Sequence, residues 1–337
     1  MKQIIEQYPK VELHTHLNGC IREHTLNSWH SNSNVTDLID SFLSPETNGK
    51  IALSKCFTAF DLIYEATSTL DRIKILAKEV LEDYDKDNTL IAEIRTTPRR
   101  LEGLTQRDYI NAIIQATEEY LEERKATKTT PFYPYFLLSI NRSRLNDAKE
   151  TIELASEYKK KTEFIRGIEL SGNPFKGHYS EIVSLMQYAR ELGLSFTMHI
   201  GEKNDDEEAL KLIECLPSRV GHGIYLNEEH IQLMKQNKIG CEICLTSNMV
   251  SRSIPEYSKH PMMQKERFDG KVFVSCDDRG LFRTSMNDEL THAIEHYCNN
   301  DIEKGKKFLK QLCVDGIEYS FLDDEKKALA LKYVESL

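Results

Sequence analysis

Eight short apolar runs rich in β-branched residues recur along the chain, at 11–17, 90–95, 135–140, 164–170, 195–200, 220–223, 239–245 and 272–276. Helix-like stretches separate most of them. Leu145, Ala148, Ile152 and Ala155 show apolar spacing of three and four, as do Ile182, Leu185, Met186, Ala189 and Leu192, and Ile231 with Met234. Strands alternating with helices imply parallel pairing through right-handed crossovers. Eight such units predict an α/β fold, a closed (β/α)8 TIM barrel. At 337 residues the length allows two domains, but barrels of this kind run this long as one. No second composition regime, low-complexity tract or repeat interrupts the alternation, so a single domain over 1–337 is expected.

The connections are uneven. More than seventy residues separate Leu17 from Leu90, too many for one crossover helix. The spacing of Phe57, Phe60, Leu62 and Ile63, followed by Leu70, Ile73, Leu76, Ala77 and Val80, predicts at least two extra helices there, covering the barrel mouth. Segments 32–34 and 44–49 read as loops, and 122–131 as a solvated helix end and linker. Beyond Arg283 the pattern is helical to the C-terminus.

A formal net charge of −10 argues against broad contact with nucleic acid or anionic membranes, though a small anionic ligand needs only a few local donors. No stretch approaches the roughly 20 apolar residues of a membrane span, and the first residues lack the apolar core of a signal peptide. The expectation is a cytoplasmic monomer whose eight cysteines are reduced thiols. Cys241 and Cys244 form a CxxC, but no second pair follows at zinc-ribbon spacing. On a strand the two would face opposite ways, so they read as buried small hydrophobes.

Ligand-type residues cluster at the ends of the runs. His14 and His16 stand at i and i+2, which on a strand puts both imidazoles on one face. His199 ends the fifth run, His222 the sixth, and Asp277-Asp278 the eighth, with Glu202 three residues beyond His199. In a barrel all of these fall on the C-terminal rim, where catalytic groups sit. Singly each is weak: an HxH is often incidental, a buried histidine is often only hydrogen-bonded, and Asp-Asp pairs such as Asp205-Asp206 and Asp323-Asp324 are commonly solvated turns. Joint placement favours a hydrolytic metal site with His14, His16, His199 and Asp277 as ligands, and Glu202, His222 and Asp278 nearby for proton traffic. Imidazole and carboxylate suit Zn²⁺, with Fe²⁺, Mn²⁺ or Co²⁺ as substitutes. Such an ion lowers the pKa of water towards ~7.

The motifs Pro9-Lys10-Val11-Glu12-Leu13-His14-Thr15-His16-Leu17-Asn18-Gly19, His199-Ile200-Gly201-Glu202, Arg219-Val220-Gly221-His222-Gly223 and Ser275-Cys276-Asp277-Asp278, in this order, resemble the adenosine deaminase branch of the metal-dependent amidohydrolases. The resemblance runs over nearly the whole chain. It implies one zinc per chain on His14, His16, His199 and Asp277, and replacement of an exocyclic amine at purine C6 by oxygen. It also implies Glu202 as proton donor to purine N1, His222 orienting the attacking water, Asp278 on N7, and the Gly172 backbone on N3.

One departure matters. Ordinary adenosine deaminases continue Leu-Asp-Gly after the HxH, whereas this chain has Leu17-Asn18-Gly19. A carboxylate about 4 Å from a phosphate would cost several kcal/mol at an effective dielectric near 20, and asparagine removes that repulsion. The second run ends Glu93-Ile94-Arg95-Thr96-Thr97-Pro98-Arg99, offering hydroxyls and a guanidinium to a phosphate. Both features look like the adenosine deaminase-like subfamily, which acts on N6-methyl-AMP. That match implies a nucleotide site lined by His16, Asn18, Tyr64, Thr96, Thr97, Pro98, Arg99 and Asn141, where Asn141 departs from the aspartate expected of relatives. The expected reaction is hydrolysis of N6-methyl-AMP and related N6-substituted purine monophosphates to IMP and methylamine. Plain adenosine deaminase, and a non-catalytic zinc-binding barrel, stay open as alternatives. So do structural roles: Asn18-Gly19 as a turn, Arg95 as an ion-pair partner, and Thr96-Thr97-Pro98 as a strand stop.

Overall fold

The computed structural model describes residues 1–30, 35–44, 49–261 and 271–337. Eight strands form one parallel sheet in sequence order: β1 (Lys10–His16), β2 (Thr89–Thr96), β3 (Tyr133–Asn141), β4 (Ile165–Ser171), β5 (Ser195–Ile200), β6 (Arg219–His222), β7 (Gly240–Ile243) and β8 (Val272–Val274). A parallel bridge between Thr15 and Asp277 closes the ring, with the His16 amide donating to Asp277 O at 3.1 Å and the Asp277 amide to His14 O at 2.8 Å. The expected TIM barrel is therefore observed. Each of the eight runs overlaps a strand, with ends shifted by a few residues.

Among the described residues, four α-helices lie in the long first connection: Glu23–Trp29, Val35–Leu43, Gly49–Ala66 and Leu70–Lys86. Three more close the chain, Met286–Tyr297, Ile302–Tyr319 and Asp324–Glu335. The loop readings at 32–34 and 45–48 lie outside the described residues, while Gly49, read as loop, opens a helix. The two Asp-Asp pairs read as turns turn out to be caps. The Asp205 carboxylate accepts from the Glu208 amide at 3.0 Å and that of Asp323 from the Lys326 amide at 2.9 Å, satisfying orphan N–H groups at helix starts.

Apolar side chains between strands and helices make the main core, a continuous cluster including Ile94, Phe136, Ile168, Met198 and Val220. The barrel interior is unusual. Where such barrels normally stack branched aliphatics, this one buries Glu93, Arg95, Arg219 and Glu242, all with no exposed surface. Burying charge is costly unless it is paired, and here each finds a partner. Arg219 gives Nε to Glu242 at 2.7 Å, NH1 to Tyr319 O at 2.5 Å and NH2 to Glu93. Arg95 NH2 meets Glu242 and Leu13 O, the latter at 2.7 Å.

Candidate active site

The C-terminal strand ends bring His14, His16, His199 and Asp277 together, each offering one ligand atom within 4.8 Å of the others. His16 Nε2 lies 3.2 Å from His199 Nε2, and Asp277 Oδ1 lies 3.4 Å from His16 Nε2 and 3.7 Å from His14 Nε2. The free lone pairs are set from behind. His14 Nδ1 donates to Glu242 Oε2 at 2.7 Å, and His199 Nδ1 donates to Leu170 O at 2.8 Å. Each bond favours the tautomer that leaves Nε2 to face the cluster, with Arg95 NH1 also 3.0 Å from His14 Nδ1. His14 Nε2 is buried with no hydrogen-bond partner among the described residues. An orphaned buried nitrogen beside a carboxylate and two further imidazoles fits a divalent cation.

Local backbone serves the same end. His222 (φ 65°) and Asp277 (φ 62°) sit in the left-handed region, which costs on the order of 1–3 kcal/mol for such residues and turns their side chains off the strand ends. Two glycines make room. A Cβ at Gly221 would stand 2.7 Å from His14 Cε1, and one at Gly19 would stand 1.8 Å from Asp278 Oδ1.

Glu202 and His222 adjoin the cluster. His222 Nε2 is 3.8 Å from Glu202 Oε1 and 3.9 Å from Asp277 Oδ2. Burial first, then the charge of Asp277, pushes the Glu202 carboxyl up to about 8, so it carries its proton at neutral pH. Burial keeps the His222 imidazole neutral. A polar chain sets its tautomer: His260 Nε2 donates to Asn248 Oδ1 at 3.1 Å, and Asn248 Nδ2 donates to His222 Nδ1 at 3.4 Å. The remaining Nε2–H then points at Asp277 and Glu202. Burial and the neighbouring Asp277 raise the Asp278 carboxyl well above the usual range, and its buried Oδ1 has no partner among the described residues.

These groups open onto a cavity of about 1440 Å3. His16, Asn18, Tyr64, Thr96, Thr97, Asn141, Gly172, His199, Glu202, His222, Asp277 and Asp278 all lie on its wall. Pro98 and Arg99 do not. They face an adjoining cavity of about 500 Å3, whose wall also includes Tyr64, Thr97 and Asn141. The expected guanidinium is thus spent elsewhere. Arg99 donates NH1 to Tyr64 O at 2.9 Å and NH2 to Thr67 O and Oγ1 at 2.9 and 2.7 Å, with its guanidinium 4.5 Å over the Tyr64 ring. Arg95 lies beneath the cluster as an ion-pair partner of Glu242, in line with the structural alternative, although Glu93 itself pairs with Arg219. Asn18 is buried and gives Nδ2 to Thr67 Oγ1 at 3.4 Å, and Thr96 Oγ1 is 2.6 Å from Tyr109 OH.

Apart from Arg95 as an ion-pair partner, the sequence reading missed the support beneath the site. Glu93, Arg95, Glu169, Arg219 and Glu242 are charged residues inside apolar strands, and that anomaly was the available signal, since a buried charge requires a partner. Cys244 also differs from expectation. It falls beyond β7, at the start of the helix Leu245–Val250, and its buried thiol lies within 4.8 Å of ligand atoms on His222 and Asp277. All eight cysteines are buried and none is in a disulfide.

A parallel barrel carrying three imidazoles and a carboxylate on its C-terminal rim, with a protonated carboxyl alongside, is the architecture of a metal-dependent hydrolase. The family model for adenosine deaminase matches residues 9–336, and the chain belongs to the adenosine deaminase family, whose members are metal-dependent hydrolytic deaminases. The N6-mAMP deaminase of Arabidopsis thaliana is 31% identical over 96% of this chain and 95% of that protein. The human N6-methyl-AMP deaminase is 29% identical over 96% of this chain and 91% of its own length. A crystal structure of Arabidopsis ADAL complexed with IMP superposes with a TM-score of 0.88 at 29% identity, covering all of this chain and 98% of that one. Among the described residues no helix is long and apolar enough to cross a membrane.

Proposed function

We propose that this chain, acting over 1–337 as one cytosolic, monomeric hydrolase domain, removes methylamine from N6-methyl-AMP and related N6-substituted purine monophosphates to give IMP. The observation that carries the reading is the convergence of His14, His16, His199 and Asp277 beside a proton-bearing Glu202 at the wall of one cavity, with an asparagine and not a carboxylate at position 18. Similarity over nearly the full length to N6-methyl-AMP deaminases, and to the Arabidopsis ADAL seen with IMP, supports the same substrate class.

In this reading His14, His16, His199 and Asp277 hold one zinc ion per chain. Bound there, zinc supplies the Lewis acidity that makes water nucleophilic at neutral pH. Glu202 gives its proton to purine N1, which draws electrons from C6 and opens it to attack. Neutral His222, its Nδ1 occupied by Asn248, orients the attacking water through Nε2. Protonated Asp278 donates to N7, and the Gly172 amide donates to N3, so the ring is fixed along two edges. Asn18, Thr96, Thr97, Tyr64 and Asn141 line the ribose and phosphate end. Pro98 and Arg99 act at one remove, shaping that end through Tyr64 and Thr67.

The test is a substrate panel on metal-assayed protein: N6-methyl-AMP, N6-methyladenosine, AMP and adenosine. Highest kcat/KM on N6-methyl-AMP is expected. Adenosine as the clear favourite would make the chain a plain adenosine deaminase, and no turnover of any purine would make it a binding barrel.

A further inference from the structure

A 5′-phosphate carries nearly two negative charges, and in a cavity it needs a cationic donor. Arg99, the arginine expected to supply one, is engaged, and so is Arg95 on the same run. Arg95 is buried against Glu242, and Arg99 spends NH1 and NH2 on Tyr64 and Thr67. Other cations on the main cavity wall are also committed. Lys203 pairs with Asp205 and Glu208, both at 3.0 Å, and Arg252 donates to Met249 O and Ser44 O at 2.8 and 2.6 Å.

Arg144 is different. It lies in the turn after β3 and is exposed, and its guanidinium makes neither a hydrogen bond nor an ion pair among the described residues, whereas those of Arg99 and Arg252 are held by neutral oxygens. Its amide donates to Asn141 O at 2.8 Å, which ties it to the strand end. Arg144 lines both cavities, and Tyr64, Thr97 and Asn141 share that double position. Lys176 is exposed too, but it lines the main cavity alone. Arg144 also reaches the Tyr64 phenol electrostatically: burial raises that hydroxyl's pKa, while the guanidiniums of Arg99 and Arg144 oppose the rise.

We propose that Arg144 supplies the guanidinium that meets the substrate 5′-phosphate at the seam of the two cavities, beside Thr97 and Tyr64, and thereby sets the preference for nucleotide over nucleoside. This rests on the substrate reading above and adds a binding residue to it. A guanidinium suits the task because it presents two parallel N–H donors to two phosphate oxygens, and an exposed, unpaired one loses little on being recruited.

The experiment compares wild type with Arg144→Gln and Arg144→Lys, using kcat/KM on N6-methyl-AMP and N6-methyladenosine and equilibrium binding of IMP and inosine. Arg144→Gln should lower the nucleotide-to-nucleoside ratio by about 10- to 100-fold and weaken IMP relative to inosine by a similar factor. Arg144→Lys should recover part of both. A Gln variant that keeps the wild-type ratio and IMP affinity would overturn the assignment while leaving the substrate reading intact. A wild type that shows no preference for the nucleotide would instead remove the substrate reading, and Arg144 with it.

Discussion

Replacing Glu242 by glutamine tests whether the charged barrel interior supports the site above it. The carboxylate is fully buried. Oε2 accepts from His14 Nδ1 at 2.7 Å and meets Arg95 NH2, while Oε1 accepts from Arg219 Nε at 2.7 Å and Thr197 Oγ1 at 2.9 Å. Burial opposes its charge, yet Arg95 and Arg219 hold it well below the ordinary carboxylate range, so it is ionised at neutral pH. Glutamine keeps the shape and one acceptor, but its NH2 cannot accept from the two donors on the other side. Two of four hydrogen bonds are lost, each about 1.5–3 kcal/mol because charged groups are involved. One of the two is the bond to Arg95, and breaking a buried pair costs roughly 3–5 kcal/mol, the same loss and not an addition to it. A loss of about 3–5 kcal/mol is therefore expected, read as a lower urea midpoint for the metal-free protein. His14 also loses the acceptor that sets its tautomer, so zinc affinity against a competing chelator should fall roughly 10- to 100-fold. An unchanged midpoint together with unchanged zinc affinity would refute the argument that Glu242 organises this centre.

Asn18→Asp should depress kcat/KM on N6-methyl-AMP far more than on N6-methyladenosine, since a carboxylate about 4 Å from a phosphate costs roughly 4 kcal/mol at an effective dielectric of 20; equal losses would show that position 18 does not sense the phosphate. Glu202→Gln should lower kcat by about 100- to 10,000-fold with metal content retained. Because the raised Glu202 pKa of about 8 keeps the donor protonated below that value, wild-type kcat/KM should decline as pH rises through it, and an activity that climbs across the same interval would exclude Glu202 as the acid. Gly19→Ala would place a Cβ 1.8 Å from Asp278 Oδ1 and 2.7 Å from its Cβ, so the whole Asp278 side chain must shift. Sharply reduced kcat/KM with an intact unfolding transition is expected, whereas full activity would detach Asp278 from catalysis.

Neighbouring residues alone determined the barrel and the candidate ligands. Strand and helix periods are local, so the eight runs and the spacing between them were legible, as was the pairing of His14 with His16 through a two-residue repeat. Strand ends in a parallel barrel share one rim, so His199, His222 and Asp277 followed from the same pattern. Partner choice was not legible. Arg95 and Arg99 carry the same guanidinium four residues apart, yet one is enclosed beneath the cluster and the other turns to Tyr64 and Thr67. The Glu242 bond to His14 spans 228 positions, and the tautomer of His222 depends on Asn248 and His260 from the segment after β7. Such contacts exist only once closure through Thr15 and Asp277 brings distant strands side by side and removes water, because desolvation is what forces each buried charge to find its opposite.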